Sequence, residues 1–501
     1  MASDQQFADS RISTGIPGVN EILGGGLTPE RLYLVEGTPG TGKTTLALRF
    51  LLDGVARGER CLYVTLSETS DELLAAAATH GWSLDGMEVF ELVNELGLDP
   101  DSEQSILHPS EVELGETVKE VIGRVDALKP SRVVFDSLSE LRLLAQNPLR
   151  YRRQILALKH FFATRSCTVL MLDDRTSETG DLQLHSIAHG VISLEQNARE
   201  FGPERRRVRI IKMRGIKFRG GYHDFIIDTG GVVVFPRLVA AEHHVEFPSV
   251  ARSTGSVELD LLLGGGLVAG TNTLLLGPSG AGKTTTAIRC VLAALDRGES
   301  ATYLLFDEGL GTLLSRAAAL GMDLQPHIDA GRLTLVTIDP AELSPGEFAA
   351  KVRWAVEARK SSVIAVDSLN AYLHAMPGEQ FLLLQMHELL SYLNQSGVTT
   401  LLVLGQHGIV GEVKSDLDLS YLSDAILLFR FFEAKGEIRT ALSVVKTRVQ
   451  AHERSIRELK LTHGGLKVGE TLHDFEGVLS GLPSYRGKIP LMQAPGLDEV
   501  Q

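Results

Sequence analysis

Cysteine is scarce: there are three, Cys61, Cys167 and Cys290, in 501 residues, odd in number and far apart. That excludes a disulfide framework or a closely spaced metal pair, and leaves each thiol as a small buried hydrophobe in a cytosolic, hence cytoplasmic, protein. Long apolar runs are missing too. No stretch approaches the roughly 18 apolar residues a membrane span requires. The opening MASDQQFADS has no basic stretch leading into an apolar run, so no secretory leader is expected either. Basic charge is outweighed, 49 Lys and Arg against 63 Asp and Glu, for a net charge of −14. Gripping nucleic acid calls for a basic face, because phosphate neutralisation dominates that affinity; nucleic acid is therefore not an expected partner. Aromatic residues, at 6%, are also few for loops that stack bases.

What the chain does contain is a long internal repeat. TGIPGVNEILGGGL from Thr14 returns as TGSVELDLLLGGGL from Thr254, and GTPGTGKTT from Gly37 returns as GPSGAGKTT from Gly277, each 240 residues later. The same shift carries RGER at Arg57 onto RGES at Arg297 and Glu68 onto Glu308. Later landmarks drift to shorter offsets, as loop deletions would cause: FDSLSEL at Phe135 answers VDSLNAY at Val366, and KMRG at Lys212 answers KTRV at Lys446. The expected division is a first domain over 1–240, a second over 241–483 and a short tail over 484–501, with a linker at 236–253. Each repeat has the size of one domain. Within each, short apolar runs such as RLYLVEG, CLYVTLS and VVFD alternate with helical patterns. That alternation predicts an α/β fold with mostly parallel sheets flanked by helices.

Both glycine-rich segments satisfy G-x-x-x-x-G-K-[ST], and both sit between an apolar strand and a helix. The first comprises Gly37, Thr38, Pro39, Gly40, Thr41, Gly42, Lys43 and Thr44, followed by Thr45. The second comprises Gly277, Pro278, Ser279, Gly280, Ala281, Gly282, Lys283 and Thr284, followed by Thr285. Glycines let backbone N–H groups close on phosphates without Cβ clashes. Lys43 and Lys283 supply a point charge to the β- and γ-phosphates, and Thr44 and Thr284 offer a hydroxyl to Mg²⁺. Two P-loops at equivalent positions predict two ATP sites. Asp136 and Asp367 each end an apolar strand, the expected place of the second Mg²⁺-orienting carboxylate. Hydrolysis also needs a carboxylate to orient water. Ser67-Glu68 and Asp307-Glu308 end the strand after each P-loop helix, making Glu68, Asp307 and Glu308 the candidates. The bland alternative is that these acids merely open the next helix, where its dipole favours them.

The tandem arrangement resembles the KaiC family of circadian-clock ATPases across essentially the whole chain. The resemblance is carried by both GGGL entries, both P-loops, PERRRVRIIKMRG, LSYLSDAILLFRFFEAKGEI and the closing HDFEGVLSGLP. It implies two tandem RecA-like P-loop NTPase domains in six chains that stack as a double ring, with ATP at subunit interfaces. It also implies that a Lys-x-Arg strand reaches the neighbour's γ-phosphate; the matching positions are Lys212 and Arg214, then Lys446 and Arg448. In the family the second domain transfers phosphate to and from an adjacent Ser-Thr pair, where this chain has Ser420-Tyr421. Ser420 therefore remains a candidate phospho-acceptor, adding roughly −1.5 to −2 charge near an interface, while Tyr421 departs from the pattern. So do Ser67, which cannot act as a carboxylate, and Asp307, one methylene short of the family's glutamate. The tail SYRGKIPLMQAPGLDEVQ does not read like the family's regulatory tail, so the clock's partner proteins are not assumed.

The expected function is an ATP-hydrolysing hexameric signalling ring with serine autokinase and autophosphatase activity, whose nucleotide or phosphorylation state selects protein partners. Two alternatives stand: a DNA-acting ATPase of the same fold that moves on single strands, and a scaffold that ATP stabilises with little turnover. His185 and His189, four apart, have no evident third ligand and read as surface histidines; His243-His244 read as solvated linker.

Overall fold

A computed structural model describes residues 11–92, 109–145, 147–175, 182–199, 202–374, 381–406, 420–434, 436–463, 465–479 and 484–486. The chain divides into two units, Met1–Arg237 and Leu238–Gln501. Among the described residues no helix is long and apolar enough to cross a membrane.

The first lobe carries a nine-stranded sheet. Its strands are β1 (Leu32–Glu36), β2 (Cys61–Thr65), β3 (Met87–Glu91), β4 (Arg132–Asp136), β5 (Thr168–Asp173), β6 (Gly190–Asn197), β7 (Arg205–Met213), β8 (Tyr222–Asp228) and β9 (Gly231–Phe235). Their spatial order is β3-β2-β4-β5-β1-β6-β7-β8-β9. Pairing is parallel from β3 through β6 and antiparallel from β6 to β9. β1, β2, β4 and β5 are buried at every residue. Their near-continuous apolar runs suit strands covered on both faces, as parallel sheets require.

The second lobe repeats this plan with β10 (Asn272–Gly277), β11 (Ala301–Leu305), β12 (Leu333–Thr337), β13 (Val363–Asp367), β14 (Thr399–Gly405), β15 (Ala425–Ala434), β16 (Glu437–Thr447), β17 (Ile456–Thr462) and β18 (Gly465–Thr471). The order β12-β11-β13-β14-β10-β15-β16-β17-β18 is the first lobe's order shifted by nine strands. Parallel pairing again gives way to antiparallel at the strand after the P-loop strand's neighbour. The internal repeat thus returns as one topology used twice, two tandem RecA-like domains with helices on the sheets.

Each sheet separates two apolar layers. In the first lobe Tyr33, Leu46, Phe50 and Tyr63 fill one side and Leu62, Phe135, Ile155 and Phe162 the other. In the second, Leu275, Ile288 and Tyr303 lie opposite Leu304, Phe348 and Met386. All three cysteines are buried and unpaired, as expected, and burial raises each thiol's pKa, to about 11, 11 and 12 for Cys61, Cys167 and Cys290. Part of the expected linker belongs to the second lobe. Leu238 and Ala240 enter its core, and the His243 ring stacks edge-on against Tyr392 at 5.0 Å, so His243 is not the solvated residue its setting suggested.

Candidate functional site

Parallel strands all point one way, so their carboxyl ends gather at one edge of the sheet, where α/β proteins bind ligands. In the first lobe this edge collects the P-loop after β1, Glu68 after β2, Asp136 ending β4, and Asp173-Asp174 at the end of β5. Between β1 and helix α1 (Lys43–Ala56), Gly42 has φ +94°, and a Cβ there would lie 2.6 Å from the Ile227 side chain. A Cβ on Gly37 would lie 2.7 Å from the Leu194 carbonyl oxygen. The second lobe repeats both constraints before its own helix: Gly282 has φ +92° and Gly277 would clash with the Phe429 carbonyl. Only glycine fits such places without strain.

Lys43 is 7% exposed; its Nζ donates to the Gly37 and Thr38 carbonyls and forms an ion pair of 2.8 Å with Asp174. Asp136 is buried; its Oδ2 accepts the Tyr63 hydroxyl at 2.6 Å and lies 3.5 Å from Thr44 Oγ1. Burial pushes the Asp136 carboxyl above its ordinary range, offset by the Tyr63 hydrogen bond and reinforced by the Asp174 charge. Glu68 is half-buried, and desolvation, then the nearby Asp136 charge, also raises its pKa. Glu68 shares an open cleft of ≈ 270 Å³ with Thr44, Thr45, Glu72, Ala76 and His80. Its helix, α2 (Ser70–Thr79), starts with a Thr69–Glu72 capping box.

In the second lobe Tyr303 donates to Asp367 Oδ2 at 2.7 Å, and burial again raises the carboxyl. Lys283 donates to the Pro278 carbonyl at 2.7 Å, and desolvation lowers its pKa to about 8. Ser368 Oγ donates to Asp307, while Glu308 accepts from Arg316 at 2.7 Å. The cleft, ≈ 560 Å³, is lined by Lys283, Thr284, Asp307, Glu308, Arg316 and Asp367 among others. Every P-loop, metal and carboxylate candidate therefore gathers at one edge of its own sheet.

The Lys-x-Arg pairs do not. Arg214 follows β7, and its backbone N–H donates to the His189 carbonyl just before β6 begins. His189 is level with Leu32, five residues before Gly37, which is about 16 Å at ~3.3 Å per strand residue. Lys212 Nζ donates to the Ala188 carbonyl and Arg214 Nη2 to the Ser186 carbonyl. The second lobe matches: Lys446 Nζ donates to the Ser423 carbonyl and Arg448 Nη2 to the Tyr421 carbonyl, each at 2.8 Å. Both pairs lie at the edge opposite their own lobe's P-loop. Ser420 and Tyr421 lie in a short 3₁₀ turn, Ser420–Leu422, with Tyr421 exposed; the Ser420 side chain is outside the described residues, as is most of the tail.

Five partners escaped sequence reasoning: Asp174, Tyr63 and its counterpart Tyr303, Arg316, and Glu36, whose buried carboxylate lies 2.8 Å from His185 Nε2. That last contact shows His185 is not an ordinary surface histidine; His189 lies outside the helix Leu182–Ile187 and packs on Tyr33 at 5.7 Å. Among the described residues, no group of three or more His, Cys, Asp and Glu could hold a metal ion by itself.

A family model described as "ATPase: KaiC" matches residues 12–239 and matches a second time over 252–473. The chain belongs to the KaiC ATPase family. The circadian clock protein KaiC3 of Synechocystis sp. is 26% identical over 492 residues, covering 97% of both chains. The circadian clock oscillator protein KaiC of Prochlorococcus marinus is 28% identical, over 94% of this chain and 95% of its own. That of Parathermosynechococcus lividus is 27% identical, over 94% of this chain and 87% of its own. KaiC membership and the duplicated P-loop fold make this an ATP-binding ATPase, and each family match spans one of the two sheets.

Proposed function

We propose that this chain hydrolyses Mg·ATP in both lobes of a hexameric double ring, and that its second lobe phosphorylates and dephosphorylates Ser420 to switch protein partners. Cytoplasmic protein partners, selected by nucleotide or phosphate state, complete the reading. The support for sites shared between subunits is geometric. Arg214 and Arg448 lie about 16 Å along the strands from their own P-loops, so a γ-phosphate within their reach belongs to another copy. Lys446 acts alongside Arg448, and Lys212 alongside Arg214. Cations supplied in this way stabilise charge on a transferring phosphoryl group.

Thr44 with Asp136, and Thr284 with Asp367, would hold Mg²⁺; Thr44 Oγ1 and the buried Asp136 Oδ2 lie 3.5 Å apart, a hydroxyl and a carboxylate whose oxygen chemistry suits a divalent ion. When bound, the metal would supply positive charge that offsets the negative charge of the phosphates. The protein's part is to cradle phosphates on P-loop N–H groups, hold charge with Lys43 and Lys283, and orient water with Glu68 and Glu308, with Asp307 beside the latter.

One observation carries the autokinase reading: Arg448 Nη2 donates to the Tyr421 carbonyl at 2.8 Å. The arginine assigned to the neighbour's γ-phosphate is thus tied to the acceptor turn, so delivering one delivers the other. The test is mass spectrometry after incubation with Mg·ATP, comparing wild type with Ser420→Ala, Lys283→Ala and Arg448→Ala. Phosphate on Ser420 that disappears in all three variants supports the switch. Absence of phosphate while ATP is hydrolysed contradicts it and leaves a ring whose output is conformational.

A further inference from the structure

We infer that Arg316 is a positioning residue for second-lobe hydrolysis, holding the Glu308 carboxylate in one orientation at the phosphate end of the cleft. The inference rests on the reading of Glu308 as the group that orients water. Arg316 lies on helix α4 (Leu310–Ala319), the element after β11, and lines the same cleft as Lys283, Thr284 and Asp367; the P-loop helix of this lobe, Lys283–Asp296, is α3. Its Nη2 donates to Glu308 Oε2 at 2.7 Å. Its Nε is buried without a hydrogen-bond partner among the described residues, so Glu308 is the acceptor that fixes this guanidinium.

The first lobe shows what the site is like without this arginine. The equivalent position, 240 residues earlier, is Ala76 on α2, and it lines the first cleft beside Glu68. Among the described residues, no arginine lines that cleft. The charges acting on that carboxylate are Asp136, Glu72 and Asp174, opposed by Lys43, and the group is raised above its ordinary range, chiefly by burial. In the second lobe the Arg316 charge favours ionisation of Asp367, although burial dominates there. Groups facing Glu308 thus include a cation from the adjacent helix, where the equivalent first-lobe position holds Ala76. A charge-assisted hydrogen bond is short and directional. Fixing a water-orienting carboxylate matters because misplacement by about 1 Å can cost ~100-fold in rate.

The experiment is steady-state phosphate release by the full-length chain carrying Glu68→Gln, which leaves second-lobe turnover as the signal. Adding Arg316→Ala is expected to lower kcat about tenfold with KM for ATP within about twofold. Arg316→Lys, which keeps a cation on that helix face, is expected to recover kcat to within about threefold. On top of Glu308→Gln, Arg316→Ala is expected to have no further effect, because a residue acting through Glu308 has nothing left to act on. A raised kcat, an unchanged kcat, a KM change alone, or an additive loss in the Glu308→Gln chain each overturns the inference. If Glu308→Gln itself leaves turnover intact, the reading of Glu308 falls and this inference with it. A Glu308→Gln chain that loses turnover beside an indifferent Arg316→Ala overturns this inference alone.

Discussion

Lys43 and Asp174 form an ion pair of 2.8 Å that has no counterpart at Lys283 among the described residues. Strand register explains the difference. β1 and β5 pair Glu36 with Asp173, whereas β10 and β14 pair Leu276 with Leu404, so the position of Asp174 falls to Gly405 in the second lobe. The P-loop lysine is therefore engaged by a carboxylate in the first lobe and, among the described residues, by the Pro278 carbonyl in the second.

To meet a phosphate, Lys43 must give up a carboxylate at hydrogen-bonding distance. Asp174→Ala is expected to tighten ATP binding to the first lobe about five- to tenfold, equivalent to ~1–1.4 kcal/mol. Titration calorimetry in a Lys283→Ala chain, which silences the second site, measures it. Unchanged or weaker binding would show that Asp174 helps Lys43 rather than competing with phosphate.

Lys283 invites a proton measurement. Desolvation lowers its pKa to about 8, so near pH 8 about half of these side chains lack a proton before ATP arrives. Bound phosphates favour the charged form, so binding takes up to about 0.5 proton per second-lobe site, and the uptake fades as pH falls toward 6. Calorimetry at pH 8 in two buffers of different ionisation enthalpy reads this directly. Uptake that persists in Lys283→Arg would assign the proton elsewhere.

Asp136 has a pKa raised above its unfolded value, so its ionised form costs stability. That cost is fully present at neutral pH and is relieved as pH falls and the carboxyl protonates. Asp136→Asn keeps an acceptor for Tyr63 and removes the buried charge, so the apo chain is expected to melt about 2–4 °C higher, the effect of ~1 kcal/mol in a domain of this size. The same variant is expected to lose the added stabilisation that Mg·ATP gives the first lobe. Thermal melts with and without Mg·ATP decide it; an apo chain that melts lower contradicts the account.

Arg214 and the P-loop at the other edge of its sheet can be tested by mixing. Lys43→Ala chains lack the phosphate cradle's charge, and Arg214→Ala chains lack the cation given to a neighbour. In chains that also carry Glu308→Gln, each is expected to be nearly inactive alone. Co-assembled one to one, about a quarter of first-lobe sites draw both intact parts from different copies, by simple probability applied to sites built across an interface. Recovery of about a quarter of the phosphate release supports the shared site. Absence of recovery in rings shown to be mixed contradicts it.

The repeat, both P-loops and the strand-ending Asp136 and Asp367 were legible in the sequence because phosphate chemistry fixes residue type and spacing locally. The alternating apolar runs likewise carried the doubled α/β fold. What escaped is non-local. Tyr63 reaches Asp136 because β2 pairs with β4 in register, placing a hydroxyl beside a carboxylate 73 residues away. Asp174 reaches Lys43 through β5, and His185 reaches Glu36 across 149 residues. A signal for some of them existed. Setting the lobes side by side puts Glu36 and Asp173-Asp174 against Leu276 and Leu404-Gly405, and Ala76 against Arg316. Such exchanges of charge for apolar or small residues mark where two copies of one fold have diverged. His243 was misread because a sequence does not show that Tyr392 waits for its ring.

The central claim, hydrolysis at two sites by Glu68 and Glu308, is tested most directly by phosphate release from wild type, Glu68→Gln, Glu308→Gln and the double variant. Each single variant is predicted to keep the other lobe's share of turnover, and the double variant to fall at least about 100-fold, with ATP still bound. A double variant that still releases phosphate at a rate near wild type would contradict the account and move the water-orienting role to other residues.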